Sequence, residues 1–515
     1  MPTKSSASSK RARSRRESEL KEGAIKTRKI SHESVVDENT LEQALESESS
    51  DEETNLEIKK SLYLETIQRS RLDFDFEKIC SVSLSNINVY ACLVCGKYFQ
   101  GRGESSHAYF HSVDEDHHVF INFNTLKAYI LPEGYEVTSS NLDDIKYVAF
   151  PTYTKEEVAN VIDTKPFYEN RYDLNHQLYV PGFIGINSIK QSNDYANVVI
   201  HALAHVKPLR DFFLLKDFSK VHNTDSNQYP ELVKRTGLLF RKLWNPRAFK
   251  PHVSPHDLLQ YFSLLSKNKF TPDKQSDPFD LINWYLNTLH LALGGSRTKF
   301  HSSIIQETFQ GKMVVLSEKV SKIKPIIKDS LLNKDENKID VMKIPFMFLS
   351  LDLPPAPLFK SDHRDAQIPQ IQLTKLLQKY DGITTQELAG HRKRYKIEKL
   401  PPYLIFHIKR ISKDSEVNKF NPTVVSFTPL KLDMRPYVQN MEGANSELPI
   451  YYNLIANISH EANTTAQGED QHSWKVQLLN KATREWFQIQ DLDVSKVRQE
   501  LLFLNDSYIQ IWEKE

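Results

Sequence analysis

The chain has 515 residues, 39% of them hydrophobic, and a net charge of +1. A balance this close to neutral excludes a polycation that binds nucleic acid through bulk charge. No apolar run approaches the roughly 20 residues of a membrane span, and the N-terminus lacks the apolar core of a signal peptide. We therefore expect a protein of the cytosol or the nucleus with two or three domains.

The first 57 residues contain no aromatic side chain and few large apolar ones. They cannot bury enough surface to offset their chain entropy, so we predict a disordered, charged tail over 1–57. Residues 10–16 are basic, which is typical of a nuclear-import signal, and residues 42–53 are acidic. Direct RNA binding by the basic cluster is an alternative, and it predicts an affinity that falls steeply with salt.

The rest of the chain divides into a small domain over 58–152, a connector near 151–172 and a large domain over 173–515. The small domain is rich in Cys, His, Tyr and Phe. Its segment 119–123 has the composition of a strand. The charged segment 318–343 of the large domain is predicted to be an exposed excursion.

Within the large domain, helical patterns dominate 194–295, with a clear helix at 280–293. Strand patterns dominate after residue 400. They cover 402–409, 423–427, 451–458, 474–479, 485–490 and 508–512. Helices followed by antiparallel strands predict an α+β fold.

The three cysteines of the chain, Cys80, Cys92 and Cys95, are confined to one short segment. An odd number in so large a chain argues against a disulfide framework. Cys92 and Cys95 form a Cys-x2-Cys knuckle, and His111 and His117 follow it at a spacing that suits tetrahedral zinc. We predict one structural zinc ion held by these four side chains. A reduced cysteine pair beside surface histidines is the alternative.

The segment 80–117 resembles the ubiquitin-protease-type zinc finger through its knuckle, Gly101-Arg102 and His107-Ala108. The resemblance assigns the four predicted ligands to one zinc site. It implies a second site at Cys80, Ser83, Gln100 and His107, where only the cysteine and the histidine are good ligands, so we expect no metal there. A third site would need a cysteine pair near 128–131, and this segment contains no cysteine.

Members of that finger family often hold the free C-terminal Gly-Gly of ubiquitin with an arginine and an aromatic platform. Arg102 and Tyr129 stand at the matching places. Lys127, however, stands where those members carry a stacking tryptophan. The resemblance therefore favours a folded docking module over a receptor for the ubiquitin tail.

The large domain resembles the ubiquitin-specific proteases, which have a papain-like fold of thumb, palm and fingers. Residues 181–214 match their cysteine box, but Asp194 occupies the position of the nucleophile. No cysteine follows Cys95, so this domain contains no thiol nucleophile. An extra residue upstream leaves Asn187 and Ser188 as competing positions for the oxyanion-stabilising asparagine. Because Asp194 precedes an apolar helical stripe, its carboxylate suits the start of a helix.

The histidine box of these proteases begins Gly-His-Tyr, whereas this chain has His472-Ser473-Trp474. With Trp474 at the tyrosine position, Ser473 takes the place of the catalytic histidine; a slipped strand would put His472 there instead. The third catalytic position holds Gln490, followed by Asp491. An amide cannot stabilise an imidazolium as a carboxylate does. The positions of Asp194, Ser473 and Gln490 therefore predict an inactive protease fold.

Together the motifs are similar to the snRNP-assembly-defective family of inactive ubiquitin-specific-protease-like splicing factors. The resemblance implies a nuclear, non-catalytic scaffold in pre-mRNA splicing that supports assembly or stability of the spliceosomal U4/U6.U5 tri-snRNP. Its partners would be tri-snRNP proteins, with RNA contacted indirectly and no membrane involved. Two alternatives are a ubiquitin-binding reader that does not cleave and a weakly active deubiquitinase.

Overall fold

The computed structural model describes residues 63–189, 192–217, 229–319, 339–355, 369–388, 390–412, 419–439, 449–464 and 470–515. The predicted charged tail over 1–57 lies outside these ranges, as do residues 320–338 of the predicted excursion. Within them, none of the helices combines the length and the apolar character that crossing a bilayer requires.

The finger is an antiparallel sheet with the strand order β2-β1-β3-β4-β5, flanked by two helices. Its elements are β1 (Val89–Cys92), β2 (Tyr98–Gln100), α1 (His107–Asp114), β3 (Val119–Asn122), β4 (Ala128–Ile130), β5 (Tyr135–Val137) and α2 (Asp143–Ala149). The turn between β1 and β2 requires Gly96, which has a φ of 79°. A Cβ at Gly96 would lie 2.3 Å from the carbonyl oxygen of Arg71. The strand predicted at 119–123 is confirmed by β3.

Alternation along β1 directs its side chains into two separate cores. Val89 and Ala91 join the larger core of the finger, which also contains Ile121. Tyr90 and Cys92 join a smaller cluster on the opposite face of the sheet. The knuckle is therefore anchored in its own apolar cluster, where the cysteine side chains are shielded from water.

The first half of the large domain is helical. Its elements are α3 (Lys165–Tyr168), β6 (Gly185–Ile186), α4 (Asp194–Ala204), α5 (Lys207–Leu215), α6 (Pro230–Leu243), β7 (His252–Val253), α7 (His256–Leu265), α8 (Pro278–Ala292) and α9 (Ile304–Phe309). Every residue of α4 is buried, so this helix runs through the middle of the domain. The helix predicted at 280–293 is confirmed by α8.

The predicted connector over 151–172 is more than a linker. Val158, Ile162, Phe167 and Tyr168 are buried in the same core as α4. Burial of four large side chains fixes this segment on the large domain. The interpretation as a plain connector was therefore wrong from Val158 onwards, because the apolar residues there belong to packed turns and a short helix.

The second half of the large domain is a mixed sheet with the order β10-β14-β23-β19-β20-β21-β22, and β18 pairs with β19. Its strands are β10 (Phe348–Asp352), β14 (Tyr403–Lys409), β18 (Leu432–Asp433), β19 (Tyr451–Thr464), β20 (Asp470–Asn480), β21 (Glu485–Gln490), β22 (Asp493–Val497) and β23 (Asp506–Lys514). Five of the six predicted strands lie in this sheet, and the sixth, at 423–427, contains β17 (Val424–Ser426). Strand β22 was missed because it is a polar edge strand without a clear apolar alternation.

A second antiparallel sheet has the order β12-β13-β8-β9. Its strands are β8 (Gly311–Lys319), β9 (Asp340–Phe346), β12 (Gln386–Leu388) and β13 (His391–Lys399). The remaining elements are β11 (Gln370–Gln372), which pairs with β17, the pair β15 (Ile411–Ser412) and β16 (Lys419–Phe420), and α10 (Leu373–Leu377). Both ends of the predicted excursion over 318–343 belong to β8 and β9, and the described residues there are exposed or half-buried, as expected. Backbone pairing extends the two strands into this charged sequence.

The finger is held on the large domain by a buried carboxylate, Asp75. It accepts hydrogen bonds from Lys242 Nζ at 2.8 Å and from the backbone N–H of Ser254 at 3.0 Å, and Lys250 Nζ lies 2.8 Å away. Burial alone would raise the pKa of Asp75, but the ammonium groups of Lys242 and Lys250 outweigh it and hold the pKa well below its usual range. The lysines belong to the large domain, so this cluster fixes the position of the finger.

Candidate functional site

The four predicted zinc ligands converge. The ligand atoms of Cys92, Cys95, His111 and His117 all lie within 4.8 Å of one another. His111 Nε2 is 3.4 Å from Cys95 Sγ and 3.0 Å from His117 Nδ1. Zinc bonds of about 2.0–2.3 Å to nitrogen and sulfur separate tetrahedral ligands by comparable distances, so two thiols and two imidazoles in this arrangement fit the ion.

The four ligands come from four successive segments, the last of which is the loop between α1 and β3 that carries His117. Cys92 ends β1, Cys95 lies in the following turn, and His111 belongs to α1. The His111 ring stacks on Phe99 with a centroid distance of 4.1 Å, which fixes the orientation of the imidazole. Packing of α1 against the sheet thus brings the histidines to the cysteine knuckle.

Three of the four residues at the implied second zinc site make hydrogen bonds with one another within the finger. Ser83 Oγ donates to Gln100 Oε1 at 2.8 Å, and Cys80 Sγ accepts from the backbone N–H of Ser83 at 3.4 Å. His107 begins α1. Among the residues that the structure describes, the group around Cys92 is the one that places at least three metal-binding side chains together. An amide and a hydroxyl that pair with each other therefore stand at two of the four positions of the implied second site.

At the implied site for a ubiquitin tail, the arginine lies on the aromatic ring. The guanidinium of Arg102 lies 4.4 Å from the centroid of the Tyr129 ring and donates to the carbonyl of Gly134 at 3.1 Å. Lys127, at the position of the stacking tryptophan, pairs with Glu136 at 3.0 Å. The arginine therefore covers the aromatic platform, and a ligand would have to displace it.

In the large domain, Asp194 is the first residue of α4, and its side chain is fully engaged. One carboxylate oxygen accepts from the backbone N–H of Tyr195 at 2.7 Å. The other accepts from the backbone N–H of Trp474, in β20, at 2.9 Å. Gln275 donates a further hydrogen bond. The carboxylate therefore joins the start of the helix to the sheet, which agrees with the helix-start role predicted for it.

A second polar group beside Asp194 joins α4 to the end of β21. Asn197 Nδ2 donates to Asp491 Oδ1 at 2.8 Å, and Asn193 Nδ2 donates to Asn197 Oδ1 at 3.0 Å. Sequence reasoning placed Asn197 in the cysteine box but did not identify Asp491 as its partner. The partnership depends on β21 ending beside α4, which no local spacing encodes.

The remaining positions of the degenerate triad do not form a proton relay. Ser473 Oγ donates to the backbone carbonyl of Glu461 at 3.3 Å, and Gln490 ends β21. The side chain of His472, the alternative to Ser473, lies outside what the structure describes. Asn187 and Ser188 are the two candidates for the oxyanion-stabilising position. Ser188 Oγ donates to Asn193 Oδ1 at 3.4 Å, and the backbone N–H of Asn187 donates to the carbonyl of Val253 at 2.8 Å.

Burial raises the pKa of Asp194 to about 6, although hydrogen bonds from Gln275, Trp474 and Tyr195 act in the opposite direction. The folded state therefore binds a proton more tightly than the unfolded chain, whose aspartate pKa is about 4. The stability that protonated Asp194 contributes is complete below about pH 4 and is lost as the pH rises through about 6.

Replacing Asp194 with asparagine is therefore expected to raise the free energy of unfolding at pH 7.5, by about 1–3 kcal/mol. The amide keeps an oxygen that can accept from Trp474 and carries no charge to desolvate. Urea unfolding at pH 7.5 and at pH 4.5 measures the effect, which should shrink at the lower pH. Asp143→Asn, at a side chain that is 69% exposed, is the control. A destabilisation that grows with pH would contradict the prediction.

Two family models match the chain. The model described as ubiquitin carboxyl-terminal hydrolase matches residues 184–512, and the model described as Zn-finger in ubiquitin-hydrolases and other protein matches residues 80–142. The first match covers more than half of the chain and includes Asp194, Ser473 and Gln490. The second includes all four residues of the cysteine–histidine cluster.

Three curated relatives align over most of their length. The "Probable mRNA-splicing protein ubp10" of Schizosaccharomyces pombe is 47% identical over 470 residues, covering 91% of each chain. "Ubiquitin carboxyl-terminal hydrolase 39" of Homo sapiens is 45% identical over 460 residues, covering 88% of this chain and 79% of that protein. "Pre-mRNA-splicing factor SAD1" of Saccharomyces cerevisiae is 33% identical over 468 residues, covering 88% and 93%.

A solved structure agrees with these relatives. The "Crystal structure of an essential yeast splicing factor" superimposes with a TM-score of 0.70 at 32% sequence identity, covering 88% of this chain and 99% of that chain. The match extends over the finger and the large domain together, so the α+β fold with an N-terminal zinc finger is shared. The chain belongs to the ubiquitin carboxyl-terminal hydrolase family and, within it, to the group of splicing factors that these relatives represent.

Proposed function

We propose that this protein is a non-catalytic scaffold of pre-mRNA splicing that supports assembly or stability of the spliceosomal U4/U6.U5 tri-snRNP in the nucleus. The observation that carries the proposal is Asp194, whose buried carboxylate bonds to the backbone of Trp474 where a protease of this fold needs a free thiolate. Two relatives are named as splicing proteins, which supports a role other than proteolysis for this fold.

The chemistry of the site argues against proteolysis. Asp194 is 5% exposed, and both of its oxygens accept backbone hydrogen bonds, so it is not free to attack a carbonyl. Ser473 and Gln490 supply neither a base nor a carboxylate. Loss of the nucleophile alone costs on the order of 10⁶-fold in kcat in a serine protease that has been tested. A weakly active deubiquitinase is thus disfavoured.

Asp194→Cys is expected to leave the protein inactive on ubiquitin–rhodamine. Ser473, at the position of the catalytic histidine, carries no imidazole that could take the proton of a thiol, and its Oγ is bonded to the Glu461 carbonyl. The measurement compares release of the dye by the variant and by the unmodified protein, with an active ubiquitin-specific protease as a positive control. Turnover by the single variant would mean that His472 serves as the base and would refute the assignment of Ser473.

For the finger we propose one structural zinc ion, held by Cys92, Cys95, His111 and His117. The cluster geometry and the matching zinc-finger model support zinc; the hydrogen-bonded pair at Ser83 and Gln100 supports a single ion. The ion would tie β1, its turn and α1 together. Metal analysis of the purified chain is expected to give one zinc per molecule, and two would contradict this count.

The proposed partners are proteins of the tri-snRNP, with RNA bound through them. The near-neutral chain gives no bulk attraction to RNA. A ubiquitin-binding reader is the second candidate, because Arg102 and Tyr129 remain at the tail pocket even though the arginine covers the ring. Titration of the protein with ubiquitin distinguishes the scaffold from the ubiquitin-binding reader. If the protein is a scaffold, we expect no binding up to high micromolar concentrations of ubiquitin.

The experiment that tests the proposal identifies the RNA that co-purifies with the tagged full-length protein at moderate salt. Discrete small nuclear RNAs of the tri-snRNP are the expected result. Their absence together with enrichment of ubiquitin conjugates would overturn the scaffold proposal in favour of the reader. Removal of residues 1–30 is the control for RNA bound by the basic tail, and it should leave the recovered RNA unchanged.

A further inference from the structure

Strand β9 lies at the edge of the antiparallel sheet β12-β13-β8-β9. It pairs with β8 on one side, and no strand of the described residues pairs with it on the other. An edge strand presents unpaired N–H and C=O groups to which another strand can bond, and proteins usually protect such edges with charges, prolines or bulges. β9 carries one lysine and one proline, but residues 340–345 are all exposed and include the apolar Val341, Met342 and Ile344.

The direction of each backbone group in this sheet follows from a hydrogen bond of β13. The carbonyl of Tyr395 accepts from the N–H of Gly382 at 2.9 Å, on the side of β13 that lies away from β8. The backbone groups of successive residues in an antiparallel pair point alternately toward and away from the neighbouring strand. Val315 of β8 lies opposite Tyr395, so its own N–H and C=O point away from β13 and toward β9.

On β9 this alternation leaves two residues free to bond. Met342 lies opposite Val315, so its backbone groups point toward β8. The backbone groups of Val341 and Lys343, on either side of it, therefore point outward. Pro345, which has no N–H, stands at the next outward position, where a proline removes no hydrogen bond from the pairing with β8. An added strand would make about four hydrogen bonds to Val341 and Lys343.

The side chains of β9 divide between the two faces of the sheet. Met342 and Ile344 lie opposite Val315 and Met313, which are buried in the core of the sheet. Met342 and Ile344 themselves are 48% and 38% exposed, because the sheet ends at β9. Apolar side chains two residues apart on an added strand would lie beside them and extend the apolar face.

The sheet around this edge is positively charged. Its strands β8, β9, β12 and β13 contain eight Lys or Arg residues and four Asp or Glu residues, an excess of four positive charges, against +1 for the whole chain. Lys343 pairs with Glu398. Arg394 lies in one row with Val341, on the same face as Lys343, and makes no ion pair with a described residue. The excess charge favours an acidic side chain on this face of an added strand.

A second copy of the chain fits this edge poorly. Two β9 strands related by a two-fold axis would be antiparallel, with their outward-facing residues opposite one another. Lys343 would then lie opposite an apolar side chain or another Lys343, and never opposite an acid. Both copies would also bring an excess of positive charge to the contact, which opposes association.

We propose that β9 binds an extended segment of a partner protein as an added strand, with the side-chain pattern apolar–acidic–apolar. The backbone of the segment bonds to Val341 and Lys343. Its two apolar side chains lie beside Met342 and Ile344, and its acidic side chain lies on the face that carries Arg394. The inference goes beyond the scaffold role and does not depend on it, because binding of a segment can be measured without splicing.

The first test is fluorescence polarisation of labelled peptides with the full-length protein. The probe is the acetylated, amidated heptapeptide Thr-Val-Glu-Val-Glu-Val-Thr, and its control has Lys in place of Glu. The Glu peptide is expected to bind with a Kd below about 1 mM and at least about tenfold tighter than the Lys peptide. The preference should weaken as salt is raised. No binding of the Glu peptide up to about 1 mM, or equal binding of the two peptides, would overturn the proposal.

Backbone methylation tests whether the peptide binds as a strand. One version of the Glu peptide is N-methylated at its two Glu residues, and the other at two of its Val residues. Only one of these two sets of N–H groups faces β9, since backbone groups alternate along a strand. One version should therefore bind at least about tenfold more weakly than the other, and equal affinities would refute strand addition.

Variants of the protein locate the site. Val341→Pro removes an outward N–H and none that bonds to β8, so we expect the affinity for the Glu peptide to fall at least about tenfold. Val341→Thr keeps the N–H and a β-branched side chain, and is the matched control. Unchanged affinity in Val341→Pro would refute the site. If that variant does not fold, Lys343→Glu decides, because it should reverse the preference between the Glu and Lys peptides.

Light scattering of the unmodified protein distinguishes the two kinds of occupant. We expect a monomer, with or without the Glu peptide. A dimer that Val341→Pro dissociates would show that a second copy of the chain occupies the edge, and would overturn the assignment to a partner segment.

Discussion

Replacing Cys92 with serine is expected to release zinc and to unfold the finger. A serine hydroxyl is not a thiolate, and three remaining ligands hold the ion far more weakly. A structural zinc of this kind contributes about 10–16 kcal/mol of apparent binding free energy in finger peptides. That is as large as the roughly 5–15 kcal/mol that separates most folded domains from their unfolded chains. Loss of the site should therefore remove most of the stability of the finger.

Limited proteolysis and zinc analysis measure this effect. The variant should lose its zinc and be cleaved within 80–142, while the large domain keeps its own core around α4. Cys80→Ser is the matched control, because Cys80 is equally buried but lies outside the cluster, and a serine oxygen can still accept from the backbone of Ser83. A Cys92→Ser protein with unchanged cleavage and full zinc would show that these four residues do not form the site.

Asp75→Ala is expected to lower the free energy of unfolding by about 3–5 kcal/mol, the range for removal of one partner of a buried ion pair. The change leaves the ammonium of Lys242, whose side chain is 9% exposed, without its counter-charge. It also leaves the backbone N–H of Ser254 without an acceptor. Since Lys242 and Ser254 belong to the large domain, the finger should also detach from it.

Denaturant unfolding measures the first effect, and small-angle scattering of the native variant measures the second. Glu485→Ala, which breaks the exposed pair with Lys496, is the control and should cost less than about 1 kcal/mol. Because the pKa of Asp75 is lowered in the folded state, its contribution is present above about pH 4 and is lost as the pH falls further. A loss of less than about 1 kcal/mol in Asp75→Ala would mean that the cluster does not hold the two parts together.

Features that depend on local spacing could be predicted from the amino-acid sequence alone. The ligands Cys92, Cys95, His111 and His117 are close together in the chain, so their spacing was enough to predict the cluster. Asp194 was recognisable because the residues around it match a continuous motif. The helix at 280–293 and the main strands after 400 were predictable for the same reason, since apolar periodicity is a property of neighbouring residues.

The contacts between residues far apart in the chain depend on how the elements pack and could not be predicted in this way. Asp194 bonds to Trp474 across 280 residues, Asn197 to Asp491 across 294, and Asp75 to Lys242 across 167. Nothing in local spacing encodes these pairs. They follow from the packing of α4 on the large sheet and of the finger on α6, where burial removes water and forces each charge or amide to find a partner.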